Sequence, residues 1–227
     1  MTPRDWEAKS LDRPIRTPGQ LLVEGRTPEM FFREMITALD LEAALQVRTF
    51  GDIGKDNLQT YLEIFTQKAA FKERVVRLGI VRDAETNGAG PAFQSVQGAL
   101  QQAHLPAPSV MAAVEGAPLA VGVFILPDCR NPGMLETLCL SAVEGESDGA
   151  AVRSCVEGFF ACLGRLRLTP SNRTKAWLAA CLLARDVLDP QLGRAAQKGV
   201  IRWEAPAFDG LKAFLGRLAG PQAIPPK

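Results

Sequence analysis

Glu24, Asp83, Glu85 and Asp128 each stand at or just beyond the end of an apolar run, and Glu136 follows a little further on. The runs are Leu21-Leu22-Val23, Val75 to Val81 and Val121 to Leu126. If they are strands of one parallel sheet, their carboxyl ends share a rim, and the carboxylates meet there. Carboxylates gathered in one place repel one another, so the arrangement is favourable mainly when a divalent cation compensates them. Mg²⁺ or Mn²⁺ suits such a set, because hard cations prefer oxygen ligands. Asp83, Glu85, Glu24, Asp128 and Glu136 are therefore the candidate metal ligands. The sole imidazole is His104, and the five cysteines show no CxxC spacing, which argues against structural zinc and against a Ser/His or Cys/His hydrolase.

The elements that must position these residues can be read along the chain. Leu21 to Val23 reads as a strand that runs through Glu24-Gly25 into a helix, with Thr27 as N-cap and Pro28 at the first helical position. Phe31, Phe32, Met35, Ile36 and Leu39 give that helix a buried face. Gln46 to Phe50 reads as a second strand, and Leu58, Leu62 and Phe65 mark another helix. Val75 to Val81 reads as a central strand, with a helix from Ala92 to Ala103 after it. Val121 to Leu126 is almost wholly apolar, as a buried parallel strand is. Pro132-Gly133 then opens a helix carrying Leu135, Leu138 and Leu140. Beyond residue 150 the pattern turns helical, with segments around Val156 to Leu166, Trp177 to Leu183 and Phe208 to Leu218.

Strands alternating with helices predict an α/β fold, a mostly parallel sheet flanked by helices with a helical C-terminal extension. The expected divisions are a loosely ordered arm over 1–19, an α/β core over 20–150, a helical extension packed on it over 151–219, and a tail over 220–227. Lys and Arg number 26 against 25 Asp and Glu, so no global field draws the chain to a polyanion or an anionic membrane. The cysteines fall mostly in apolar periodic segments and read as buried, reduced thiols. Phe31, Phe32, Phe159 and Phe160 sit at core spacing rather than on a stacking platform. No stretch reaches the roughly 18 apolar residues of a membrane span, and the N-terminus lacks a signal-like apolar run, which together predict a cytoplasmic protein.

Leu22-Val23-Glu24-Gly25 followed by Asp83-Ala84-Glu85 resembles the Glu and Asp-x-Asp signature of Toprim domains, a superfamily that includes primases, topoisomerases and the overcoming-lysogenization-defect (OLD) nucleases. Gly54-Lys55-Asp56-Asn57 and Pro132-Gly133-Met134-Leu135-Glu136 are similar to segments of its small stand-alone members, and the likeness covers most of residues 20 to 215. The resemblance implies metal-assisted phosphodiester chemistry of nuclease type, with Asp83 and Glu85 holding Mg²⁺ or Mn²⁺ and Glu24 either a further ligand or a general acid/base. It implies that Lys55 contacts a phosphate or the developing charge, with Lys175 beside Arg173 as a second group of the same kind; Lys55, Arg173 and Lys175 would then meet nucleic acid. Three positions depart from the pattern: Glu85 replaces the second Asp, and Thr27-Pro28 and Thr137 stand where carboxylates are expected. Those departures motivate the alternative of a non-catalytic Toprim-like module that binds nucleic acid or a partner such as an ATPase. The chain has no Gly-x-x-x-x-Gly-Lys-Ser/Thr motif, so that ATPase would act in trans.

Each residue also has a plain structural reading. Glu24 suits a loop before a helix N-terminus, where negative charge is favourable. Asp128 can brace the turn ahead of Pro132, Glu136 can be an exposed helix residue, and Lys55 a surface charge beside Asp52 and Asp56. Arg165, Arg167, Arg173 and Lys175 can form a solvated face.

Overall fold

A computed structural model describes residues 9–51 and 57–221. In chain order the elements are β1 (Gly19–Val23), α1 (Arg26–Ala38), β2 (Leu45–Thr49), α2 (Leu58–Gln67), α3 (Ala69–Arg74), β3 (Arg77–Asp83), α4 (Ala89–Gln102), β4 (Val114–Glu115), β5 (Ala120–Leu126), α5 (Leu135–Glu144), α6 (Gly149–Arg165), α7 (Arg173–Leu183), α8 (Leu192–Gln197) and α9 (Asp209–Ala219). The strands form one sheet in the order β2-β1-β3-β5-β4. All neighbours are parallel except the short edge strand β4, which runs antiparallel to β5.

Successive side chains of a strand point to opposite faces, and here both faces are covered. Leu21, Val23, Val81, Phe124 and Leu126 pack with Phe31, Phe32 and Met35 of α1, Leu135 and Leu138 of α5, and Phe214 and Leu218 of α9. Leu22, Leu78, Ile80, Val121, Val123 and Ile125 face the other way, onto Tyr61, Leu62 and Phe65 of α2 and Phe93, Val96 and Leu100 of α4. The result is the expected α/β architecture in three layers. The extension docks tightly because the sheet is stripped to glycine beneath it: a Cβ at Gly79 would collide with Leu218, and one at Gly122 with Phe214.

Several local expectations are corrected. Helix α1 starts at Arg26, with Gly25 rather than Thr27 just outside it. Gly25 has φ 91°, its carbonyl accepts from Glu29 N–H, and its own N–H donates to Thr49 Oγ1 at 2.8 Å. A residue without a Cβ makes that turn at no steric cost, so Thr27 and Pro28 are left in the first helical turn. The brief elements α3, α8 and β4 carry too few residues for their periodicity to be read. Phe159 is 52% exposed rather than in the core, and Cys155 and Cys162 are exposed thiols, because α6 leans on the molecule with one narrow face only. Among the described residues no helix is long and apolar enough to cross a membrane.

The described part of the arm is packed, not loose. Ser10, Arg13 and Ile15 are buried. Arg48 on β2 is fully buried as well; its guanidinium donates to Gln20 Oε1 and to the carbonyls of Ser10, Arg13 and Pro14, and it lies 5.1 Å from the Phe65 ring centroid. Glu29 of α1 is fully buried and receives Arg13, Arg26 at 2.9 Å and Arg33 at 2.7 Å. Burial alone would raise the Glu29 pKa, but the Arg13 hydrogen bond and the charges of Arg33, Arg13 and Arg26 hold it below the ordinary value. Replacing Glu29 by Ala leaves the buried Arg13 charge uncompensated and is expected to cost about 3–5 kcal/mol. Thermal unfolding should show a fall in Tm of the order of 10 °C. An unchanged Tm would mean that the arm is not held by this cluster.

Candidate functional site

The direction of the chain crossovers locates the site. The connection from β1 passes through α1 on one face of the sheet to β2, whereas the connection from β3 passes through α4 on the other face toward β5. Connections that leave neighbouring parallel strands on opposite faces open a crevice beyond their carboxyl ends. Glu24 lies on the β1 side of it, and Asp83 and Glu85 on the β3 side.

Register decides who meets whom. Val23 is level with Val81, which is level with Phe124, and Asp83 with Leu126. Glu24 therefore comes level with Arg82, whose Nε is 3.9 Å from Glu24 Oε2 while Nη1 donates to Ser95 on α4 at 3.1 Å. Asp83 shares the strand face of Val81 and points to the α5 side, where Leu135 N–H donates to its Oδ1 at 3.0 Å. Glu85 has φ 56° and exchanges two backbone hydrogen bonds with Gly133, at 2.9 and 2.8 Å. That bridge ties the Asp83-Ala84-Glu85 turn to Pro132-Gly133-Met134-Leu135-Glu136. Gly133 has φ 143°, and a Cβ there would press on Thr137, whose Oγ1 accepts from Met134 N–H at 3.1 Å. Thr137 is thus a capping residue of α5.

The charges gathered here act on one another. The Asp83 carboxyl is pushed up to about 7, first by burial and then by Glu136, with smaller contributions from Glu85 and Glu24. The Leu135 N–H opposes the shift and does not cancel it. Four of the five proposed carboxylates are therefore brought within electrostatic reach of one another. Asp128 is engaged elsewhere. It accepts from Arg130 N–H, Asn131 N–H and Asn131 Nδ2 at 3.0, 2.8 and 2.6 Å, bonds that hold it below the ordinary carboxylate value despite partial burial. It braces its own turn.

Lys175, at the start of α7, reaches Glu136 Oε1 at 3.7 Å, and Arg173 stacks over Trp177 with its guanidinium carbon 5.6 Å from the ring centroid. Lys55 lies outside the described residues. No local pattern marks Arg82 as a partner of Glu24, or the Leu135 N–H as a donor to Asp83, since both depend on register between distant segments. A groove of about 890 Å³ between α1, α8 and β2 is lined by Glu34, Glu42 and Asp189 but by none of the five candidate carboxylates.

The side chains whose charges act on Asp83 are all carboxylates, the ligands a hard divalent cation takes, and their mutual repulsion is what such a cation would relieve. Among the described residues, no three His, Cys, Asp or Glu side chains are already arranged to hold a metal ion. Binding would therefore require side-chain movement of Glu85, Glu136 and Glu24, with Glu24 and Glu136 drawn away from Arg82 and Lys175.

A carboxyl with a raised folded-state pKa binds more protons folded than unfolded between its two values. Stability then falls as pH rises from the unfolded value near 3.8 to about 7. In metal-free buffer, Asp83→Asn should remove that slope and raise Tm at pH 8 by at least about 4 °C relative to the parent. Parallel Tm–pH curves for the two proteins would show that Asp83 is not under this strain.

No curated protein and no solved structure matches the chain. The model of the family described as "Protein of unknown function (DUF3226)" matches residues 18–220, a span that holds every strand and the whole acidic rim, and the chain belongs to that family.

Proposed function

We propose that the protein acts on phosphodiesters in the manner of Toprim nucleases, with Mg²⁺ or Mn²⁺ held by Asp83, Glu85 and Glu136. The observation that carries this reading is the Asp83 carboxyl, pushed up to about 7 by burial and by three neighbouring carboxylates at a sheet crevice. Carboxylates that raise one another's pKa do not stabilise a fold, whereas clefts that bind cations or move protons do collect them. A bound divalent cation would neutralise charge on the phosphoryl oxygens.

The protein's own groups have distinct parts in this reading. Leu135 N–H fixes one Asp83 oxygen, Oδ1. Arg82 steadies Glu24, which serves as a further ligand or as the general acid/base. Lys175, 60% exposed, is mobile enough to exchange Glu136 for a phosphate oxygen, with Arg173 and Lys55 as further nucleic-acid contacts. A cytoplasmic location belongs to the same proposal.

A second reading rests on the ion pairs. Arg82 and Lys175 partly satisfy Glu24 and Glu136, and among the described residues no three acidic groups are preset around a metal, which fits a non-catalytic module that binds nucleic acid or a partner such as an ATPase. Calorimetric titration of Mn²⁺ and Mg²⁺ separates the two. The first reading expects saturable binding abolished in Asp83→Ala, and divalent-dependent cleavage of a mixed panel of DNA and RNA reduced at least about 100-fold by the same change. Cleavage that survives Asp83→Ala in a folded protein would overturn it. Metal-independent, salt-sensitive binding of nucleic acid would favour the second.

A further inference from the structure

Helix α6 is 17 residues long and is used on one side only. Val152, Val156 and Phe160 pack toward Trp177, Ala180 and Cys181 of α7. Beside that face runs a second line at helical spacing, Ala151, Cys155, Phe159, Cys162 and Leu166, all exposed, which continues into Leu168. Phe159, Leu166 and Leu168 are 52%, 65% and 57% exposed. No charged residue interrupts the line, which spans about 23 Å from Ala151 to Leu166 along the helix.

The ends of the helix carry opposite charge. Glu144 and Asp148, 44% and 64% exposed, stand at its N-terminal end, where Arg153 lies 3.3 Å from Glu144 and Arg185 3.9 Å from Asp148, and the exposed Arg165 and Arg167 stand at its C-terminal end. A surface with this distribution is complementary to itself when turned end for end: the basic end of one helix meets the acidic end of the other, and the two macrodipoles oppose. A two-fold axis between Gly158 and Phe159 sets Cys155 opposite Cys162 of a second copy, and Ala151 opposite Leu166, so small residues face large ones along the seam.

We propose that this stripe is the interface of a symmetric dimer in which α6 packs antiparallel against α6 of a second copy of the chain. The basis is independent of the acidic rim. Phe159 is the central anchor, the kind of partly exposed aromatic residue on which association concentrates.

Sedimentation velocity on the full chain should show a reversible dimer at micromolar concentration, converted by Phe159→Arg to a monomer with unchanged Tm. Orientation is read by thiol pairing under diamide, which accepts the two protons and two electrons released as each pair of thiols joins. Cys155→Ser alone and Cys162→Ser alone should give no covalent dimer. An equimolar mixture of the two should give one, linked from Cys162 of the first to Cys155 of the second in the mass-mapped peptides. A parent that stays monomeric, a Phe159→Arg protein that still dimerises, or covalent dimers formed by either single variant alone would overturn the proposal.

Discussion

Parallel pairing of β1 with β3, in the register that levels Val23 with Val81, is the constraint on which the rest of the molecule depends. Parallel strands cannot be joined by a tight turn, so helices must cross the faces and cover them. Because the two strands send their connections to opposite faces, the crevice between them is left open at their carboxyl ends. A slip of one residue would turn Asp83 away from α5 and exchange the two buried faces of β3, which is why apolar packing on both sides holds the register firmly.

Two carboxylates show how differently one fold treats the same chemical group. Glu29 is fully buried yet kept ionised, because three arginines surround it. Asp83, half-buried, is pushed up to about 7, first by burial and then by its acidic neighbours, with no cation to offset them. The first arrangement pins the arm to α1 and stabilises the fold. The second opposes stability at neutral pH and persists only because the register, the Glu85–Gly133 bridge and the Leu135 N–H hold the groups together. Strain of that kind, concentrated at a sheet crevice, is the main physical reason for regarding the rim as functional.

The C-terminal helices divide in a similar way. Helix α9 is drawn into the core by Gly79 and Gly122, which leave room for Leu218 and Phe214 against the sheet. Helix α6 meets no such recess and buries only a narrow face. Its remaining apolar line is available to something outside the chain, and the charge at its two ends is arranged for a copy of itself.

From its sequence alone, this protein's α/β alternation, its four parallel strands, and the placement of Glu24, Asp83 and Glu85 at strand ends were all legible. Apolar runs bounded by Gly, Pro and acidic residues are local signals, and burial on both faces leaves few other ways to use them. Tertiary structure alone decided the rest. Glu136 approaches Asp83 and Asp128 does not, although both follow the same strand, because Asp128 finds three donors within its own turn. Arg82 and Lys175 meet their acids only through register and helix docking. Phe159 keeps core spacing yet lies outside, since spacing defines a face of a helix but not what, if anything, is packed against it.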